Sequence, residues 1–224
     1  MTLIGMTTEF EKGNTALMAG NLDGAGACFK TALAEAKTDS EKAIALSMLA
    51  GCSFARMRMS EALELNDRAL AIQEEPTRML FRGSCLFYLG RHEEAEKSVL
   101  RALELGAPNK MMAHWLLSQI AEKKGDFQAA LAHLEIAIKE SGGTRFLGDR
   151  VRLLKKAGEP EEAKIAATEA AVAPFPKYEN EALASAMMKN VVSSPDRKSI
   201  ITTGFASSSS PYAPPVELSR AELL

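Results

Sequence analysis

Residues 88–109 read YLGRHEEAEKSVLRALELGAPN and residues 123–140 read KKGDFQAALAHLEIAIKE. In each stretch a glycine (Gly90, Gly125) is followed by an alanine (Ala95, Ala130) and, seven residues further, by a second alanine (Ala102, Ala137). A glycine adopts the left-handed backbone that ends a helix without a Cβ penalty, and two alanines seven apart lie on one face of the helix that follows. The pair therefore predicts a helical hairpin: one helix ending near the glycine, and a second whose alanine face meets the first.

The same pattern runs along the chain. The alanine pairs are Ala25 with Ala32, Ala62 with Ala69, Ala95 with Ala102, Ala130 with Ala137, and Ala163 with Ala170; their first members recur 37, 33, 35 and 33 residues apart. Five residues before each first alanine stand Gly20, Met57, Gly90, Gly125 and Gly158. Twelve before stand Gly13, Ala50, Gly83, Ser118 and Val151, mostly small, where two helices must approach closely; eight after stand the apolar Leu33, Leu70, Leu103, Ile138 and Ala171. A spacing near the ~34 residues of helix-turn-helix arrays, with these columns superimposed on it, resembles the tetratricopeptide repeat (TPR) family. The resemblance covers about residues 6–172. Asn66 stands in a usually apolar column, and Lys12, Arg82 and Arg150 stand where the family prefers leucine.

The expected fold is all-α: a right-handed superhelical solenoid of about five TPR-like hairpins over residues 6–172, preceded by an N-terminal extension (1–5). A capping helix is expected over 173–192, where Pro174 and Pro176 precede KYENEALASAMMKNVV. Residues 193–224 hold eight Ser and four Pro and read as a disordered tail. Composition agrees with the class: Ala, Leu, Glu, Lys and Met dominate, and aromatics make up 6% of the 224 residues.

Lys and Arg number 27 against 29 Asp and Glu, a net charge of −2, so no global field steers the chain onto a polyanion. The opening MTLIGMTTEFEKGN lacks a basic start followed by an apolar stretch, and no apolar run is long enough to span a bilayer. Cys28, Cys52 and Cys85 are odd in number and widely spaced in apolar surroundings, as reduced core thiols are. The expectation is a cytoplasmic or other reducing compartment. His92, His114 and His133 share no metal-ligand spacing, and neither a phosphate-cradling glycine loop nor a nucleophile paired with a base is present. No catalytic residue, metal or cofactor is assigned.

In the resembled family the first helix of each hairpin lines a concave groove that grips segments of other proteins. Carried onto this sequence, the groove residues are Phe10, Asn14, Leu17, Phe54, Leu80, Phe81, Ser84, Phe87, Tyr88, Trp115 and Gln119, with a basic end at Arg145, Arg152, Lys155 and Lys156. An apolar, aromatic floor followed by a basic end suits an apolar segment with an acidic flank. The bland reading of Phe54 and Phe87 is packing between helices, and that of Lys155 and Lys156 a solvated face. The two-carboxylate clamp of co-chaperones in this family matches only at Asn14: Phe10, Met48, Thr77 and Phe81 hold its other four places, with Arg78 and Arg82 one residue off. Val216, Leu218, Leu223 and Leu224 in the tail, beside Glu217 and Glu222, resemble the expected ligand; self-docking is one reading of them, and a disordered tail that does not dock is the bland one. The primary reading is a non-catalytic adaptor, co-chaperone or assembly factor. Its alternative is a constitutive subunit of a larger complex, with RNA binding a minor one.

Overall fold

The structure is a computed structural model that describes residues 8–143 and 145–172. The expected N-terminal extension, capping helix, tail and tail docking lie outside these residues. Among the described residues there are ten α-helices and no strand: α1 (Thr8–Met18), α2 (Leu22–Glu35), α3 (Asp39–Ala55), α4 (Met59–Ile72), α5 (Pro76–Tyr88), α6 (His92–Glu104), α7 (Lys110–Lys124), α8 (Phe127–Glu140), α9 (Leu147–Ala157) and α10 (Pro160–Val172). They pair into five hairpins, odd-numbered helix first. None is long and apolar enough to cross a membrane.

All five turns between paired helices are built alike, which explains the glycine column. Gly20, Met57, Gly90, Gly125 and Gly158 all have φ between +61° and +82°. The next residue then donates its N–H back to the carbonyl five residues earlier, as Arg91 does to Leu86 (2.9 Å), Asp126 to Ala121 (3.0 Å) and Arg58 to Ser53 (2.9 Å). This satisfies carbonyls that a helix end leaves open. Met57 makes the same turn at φ 61° with a Cβ, so it carries a strain that the four glycines avoid.

Five helix starts are fixed by side chains. Asn21, Asn109 and Asp126 each accept the N–H three residues on, and Thr38 forms a reciprocal capping box with Glu41. Glu75 caps α5, whose first residue is Pro76.

The chain divides into two compact units, Met1–Pro108 and Asn109–Leu224. In the first, each helix of α1 to α4 packs on its successor, as α5 does on α6. Ala25, Ala62 and Ala95 are fully buried, as the alanine face predicts. The small-residue column works as a close approach: a Cβ on Gly13 would lie 2.6 Å from the Phe29 ring, and one on Gly83 2.5 Å from Val99 Cγ2. In the second unit α7 to α10 pack in the same sequence, with Ala130 and Ala137 buried and Val151, Leu154, Ala163, Ala166 and Ala167 forming a core. Cys52 and Cys85 are buried, and burial pushes the Cys85 thiol up to about 12, so it is inert packing.

Lys12 pairs with Glu9 on its own helix, whereas Asn66, Arg82 and Arg150 each make a bond to a neighbouring hairpin. Asn66, 1% exposed, donates from Nδ2 to the Arg78 carbonyl at 3.0 Å, tying α4 to α5. The Arg78 side chain turns inward to Ser47 Oγ (2.9 Å) and the Gln73 carbonyl (3.1 Å). Arg82 reaches Asp67 (2.8 Å) on α4 and Ser98 (2.7 Å) on α6; Arg150 reaches Glu135 (2.6 Å) on α8 and Glu169 (2.6 Å) on α10. Asp67 and Glu135 each follow their repeat's first alanine by five residues, so two arginines replace the expected leucine with the same bridge. Both Arg78 and Arg82 are thereby engaged internally and do not restore the co-chaperone clamp.

Candidate partner-binding surface

Within the first unit the sequence-predicted residues of α3 and α5 come together as an aromatic seam. Phe54 lies 5.2 Å from Phe81 and 5.5 Å from Tyr88 between ring centroids, and Phe87 lies 5.6 Å from both Tyr88 and His92. Tilted and edge-to-face contacts of this kind hold rings rigid. Phe54 is 6% exposed and forms the buried base, whereas Leu80, Phe81, Ser84, Phe87 and Tyr88 are half-buried and present part of each side chain to solvent. On α1, Phe10 is 7% exposed and seals against Phe29 (5.4 Å), while Asn14 is exposed and Leu17 half-buried.

In the second unit Trp115 is 4% exposed and stacks on Phe146 at 6.0 Å. The expectation of an open apolar floor is therefore corrected at Phe10, Phe54 and Trp115. Each ring is covered by another aromatic ring, which a reading of single-helix periodicity does not include. Trp115 Nε1 and Gln119 Nε2 are buried donors without a partner among the described residues.

The predicted basic end is also modified. Glu122 Oε1 accepts from Arg152 Nη1 and from Lys156 Nζ (2.8 Å), and Asp149 accepts from Arg152 Nη2 (3.0 Å). Burial alone pushes the Glu122 carboxyl up, but the hydrogen bonds from Arg152 and Lys156 outweigh it and hold the group below the usual carboxylate range. Arg145 points Nη1 toward Met111 Sδ at 3.7 Å, and Lys155 is exposed. The surface is thus a network of paired charges with lysines at its margin rather than an unbroken cationic patch.

Two features lie outside the sequence reading. His114 and His133, which share no motif spacing, meet across α7 and α8 with Nδ1 atoms 3.3 Å apart. Burial, then the neighbouring His133, lowers the proton affinity of His114. An open hollow of about 520 Å³ lies over α4 and the α5–α6 turn, among Ser60, Glu64, Asp67, Arg68 and Arg91; no predicted groove residue lines it.

Tandem helical hairpins with a buried alanine face and a left-handed turn define a helical-repeat protein. The match to the tetratricopeptide repeat over residues 10–75 and 82–143 spans more than half of the sequence, and the chain belongs to that family. No curated protein matches the sequence. Among solved structures, a MamA protein aligns with TM-score 0.62 at 19% identity, covering 74% of this chain and 89% of that one. The TPR protein TTC0263 from Thermus thermophilus aligns at 0.60 and 20% identity (82% and 100% covered), and YrrB, described as a TPR protein with an unusual peptide-binding site, at 0.58 and 17% (83% and 92%). At these identities the likeness establishes the fold.

Proposed function

We propose that the chain is a non-catalytic protein–protein interaction module, an adaptor or assembly factor that holds an apolar, acidic-flanked segment of a partner against its odd-numbered helices. The observation that carries this reading is the α3–α5 seam: Leu80, Phe81, Phe87 and Tyr88 offer half-exposed apolar surface, with Phe81 and Tyr88 packed on Phe54 and Phe87 packed on Tyr88 and His92. Anchors that lose little freedom on binding contribute most of an interface's energy, and aromatic residues are prominent among them. Each buried anchor contributes about 1.5–3 kcal/mol before ordering costs. Family membership and the peptide-binding site described for YrrB support the same class of role. The acidic-flank preference comes from the sequence pattern of Arg145, Arg152, Lys155 and Lys156.

Substituting Leu80→Glu together with Phe87→Glu tests it. Neither side chain is fully buried, so helicity is retained, and co-purification of the partner from the native host is expected to be lost. Retention of the partner by a folded double variant contradicts the proposal.

A further inference from the structure

Glu122 pairs with two cations of the following hairpin. It lies on α7 in register with Trp115 and Gln119 (i, i+4, i+7), so the three share one face. Contacts from this face go to α9 and the residue before it: Trp115 to Phe146, and Glu122 to Arg152 and Lys156. Along this seam stand, in order, two buried donors without partners among the described residues, Trp115 Nε1 and Gln119 Nε2, and then two cations converging on one carboxylate oxygen. Unpartnered buried donors cost free energy unless something accepts from them, so a fitting ligand brings acceptors. Lys123, Lys155 and Arg145 around the seam carry no acidic partner among the described residues, which makes that ligand anionic.

We infer that the α7–α9 seam takes an acidic peptide segment of a partner and that Glu122 is the chain's own competitor for it. The inference rests on the interaction-module reading and specifies the occupant and its regulation. A carboxylate of the incoming peptide replaces Glu122 on Arg152 and Lys156, while the half-buried Gln119 side chain donates to its main chain. Exchanging one carboxylate for another conserves the charge-assisted bonds to the cations. Discrimination then comes from the added Gln119 donor and from the charge surrounding the seam. Until a peptide arrives, Glu122 keeps the cations paired and suppresses adventitious anions. Nucleic acid fits less well, because Glu122 and Asp149 put two carboxylates within the patch.

Fluorescence anisotropy of the full chain with a labelled peptide of eight glutamates tests this, with an eight-glutamine peptide and an eight-uridine RNA as controls. The expected result is salt-sensitive binding of the glutamate peptide, about ten-fold tighter in Glu122→Gln and about ten-fold weaker in Arg152→Gln. Lys156→Gln, at a more exposed position, gives a smaller loss in the same direction and secures the result should Arg152→Gln unfold. Leu100→Ser, at an exposed position on α6 outside both candidate surfaces, leaves these affinities unchanged. The inference is overturned if folded Glu122→Gln binds the glutamate peptide no more tightly than the parent, if the glutamine peptide binds equally, or if the RNA binds more tightly. Should that occur while Leu80→Glu with Phe87→Glu still abolishes the partner, the seam inference fails and the module reading stands.

Discussion

Phe54 and Glu122 occupy the same place in their repeats, eight residues before the first alanine, and each meets the residue seven before the alanine of the next hairpin. In the first unit that pair is Phe54 with Tyr88, two rings 5.5 Å apart; in the second it is Glu122 with Lys156, an ion pair at 2.8 Å. The backbone geometry is shared and the chemistry is opposite. Repeat position thus decides which side chains meet, and the local residue types decide whether the seam offers apolar anchoring or charge recognition. Each unit thereby has its own recognition chemistry, apolar in the first and charged in the second.

Breaking the aromatic side of the comparison has the largest expected effect. Phe54→Ala removes the ring on which Phe81 and Tyr88 rest and is expected to lower stability by about 3–5 kcal/mol in denaturant unfolding, with little dependence on salt. Glu122→Ala acts on the equivalent position electrostatically. It leaves two cations facing each other and is expected to cost about 1–2 kcal/mol, less at high salt. Because the native carboxyl is held below its usual range, its contribution is present above the ordinary value near 4.5 and lost as pH falls through the depressed native value. Parent and variant should therefore converge in stability in acid.

Met57→Gly sharpens the comparison of turns. Met57 is 50% exposed and sits at φ 61°, so glycine is expected to stabilise the first unit by about 1 kcal/mol, read as a raised midpoint. The smallest effect is expected at the histidine pair, where His114 and His133 face each other, with Lys110 and Glu140 contributing opposing charge effects. A native His114 below the ordinary 6.5 binds its proton less readily than the unfolded chain. Its contribution is therefore complete above pH 6.5 and is lost progressively as pH falls toward the depressed native value. His114→Phe should flatten that part of the stability profile.

The hairpins, the buried alanines and the left-handed turns were legible in the sequence because each depends on spacing within one repeat. Met57 was legible for the same reason: its register assigns it the turn although its residue type argues against it. The fate of Asn66 was not, since its partner is a backbone carbonyl, Arg78's, which leaves no mark in a pattern of side chains. Exposure of the candidate groove was legible only in part. Phe54 and Trp115 fall on the predicted face, but whether they are reachable depends on Phe81 and Phe146 from the next hairpin, as the freedom of Arg152 depends on Glu122.

The most direct measurement places a photoreactive residue at Phe81 on α5 and, separately, at Leu100, an exposed apolar position on α6, and compares crosslinking in the native host. The account predicts a discrete adduct from position 81 that disappears when Leu80→Glu and Phe87→Glu are added, and none from position 100. Equal adducts from both positions, or an adduct from 100 alone, would contradict it.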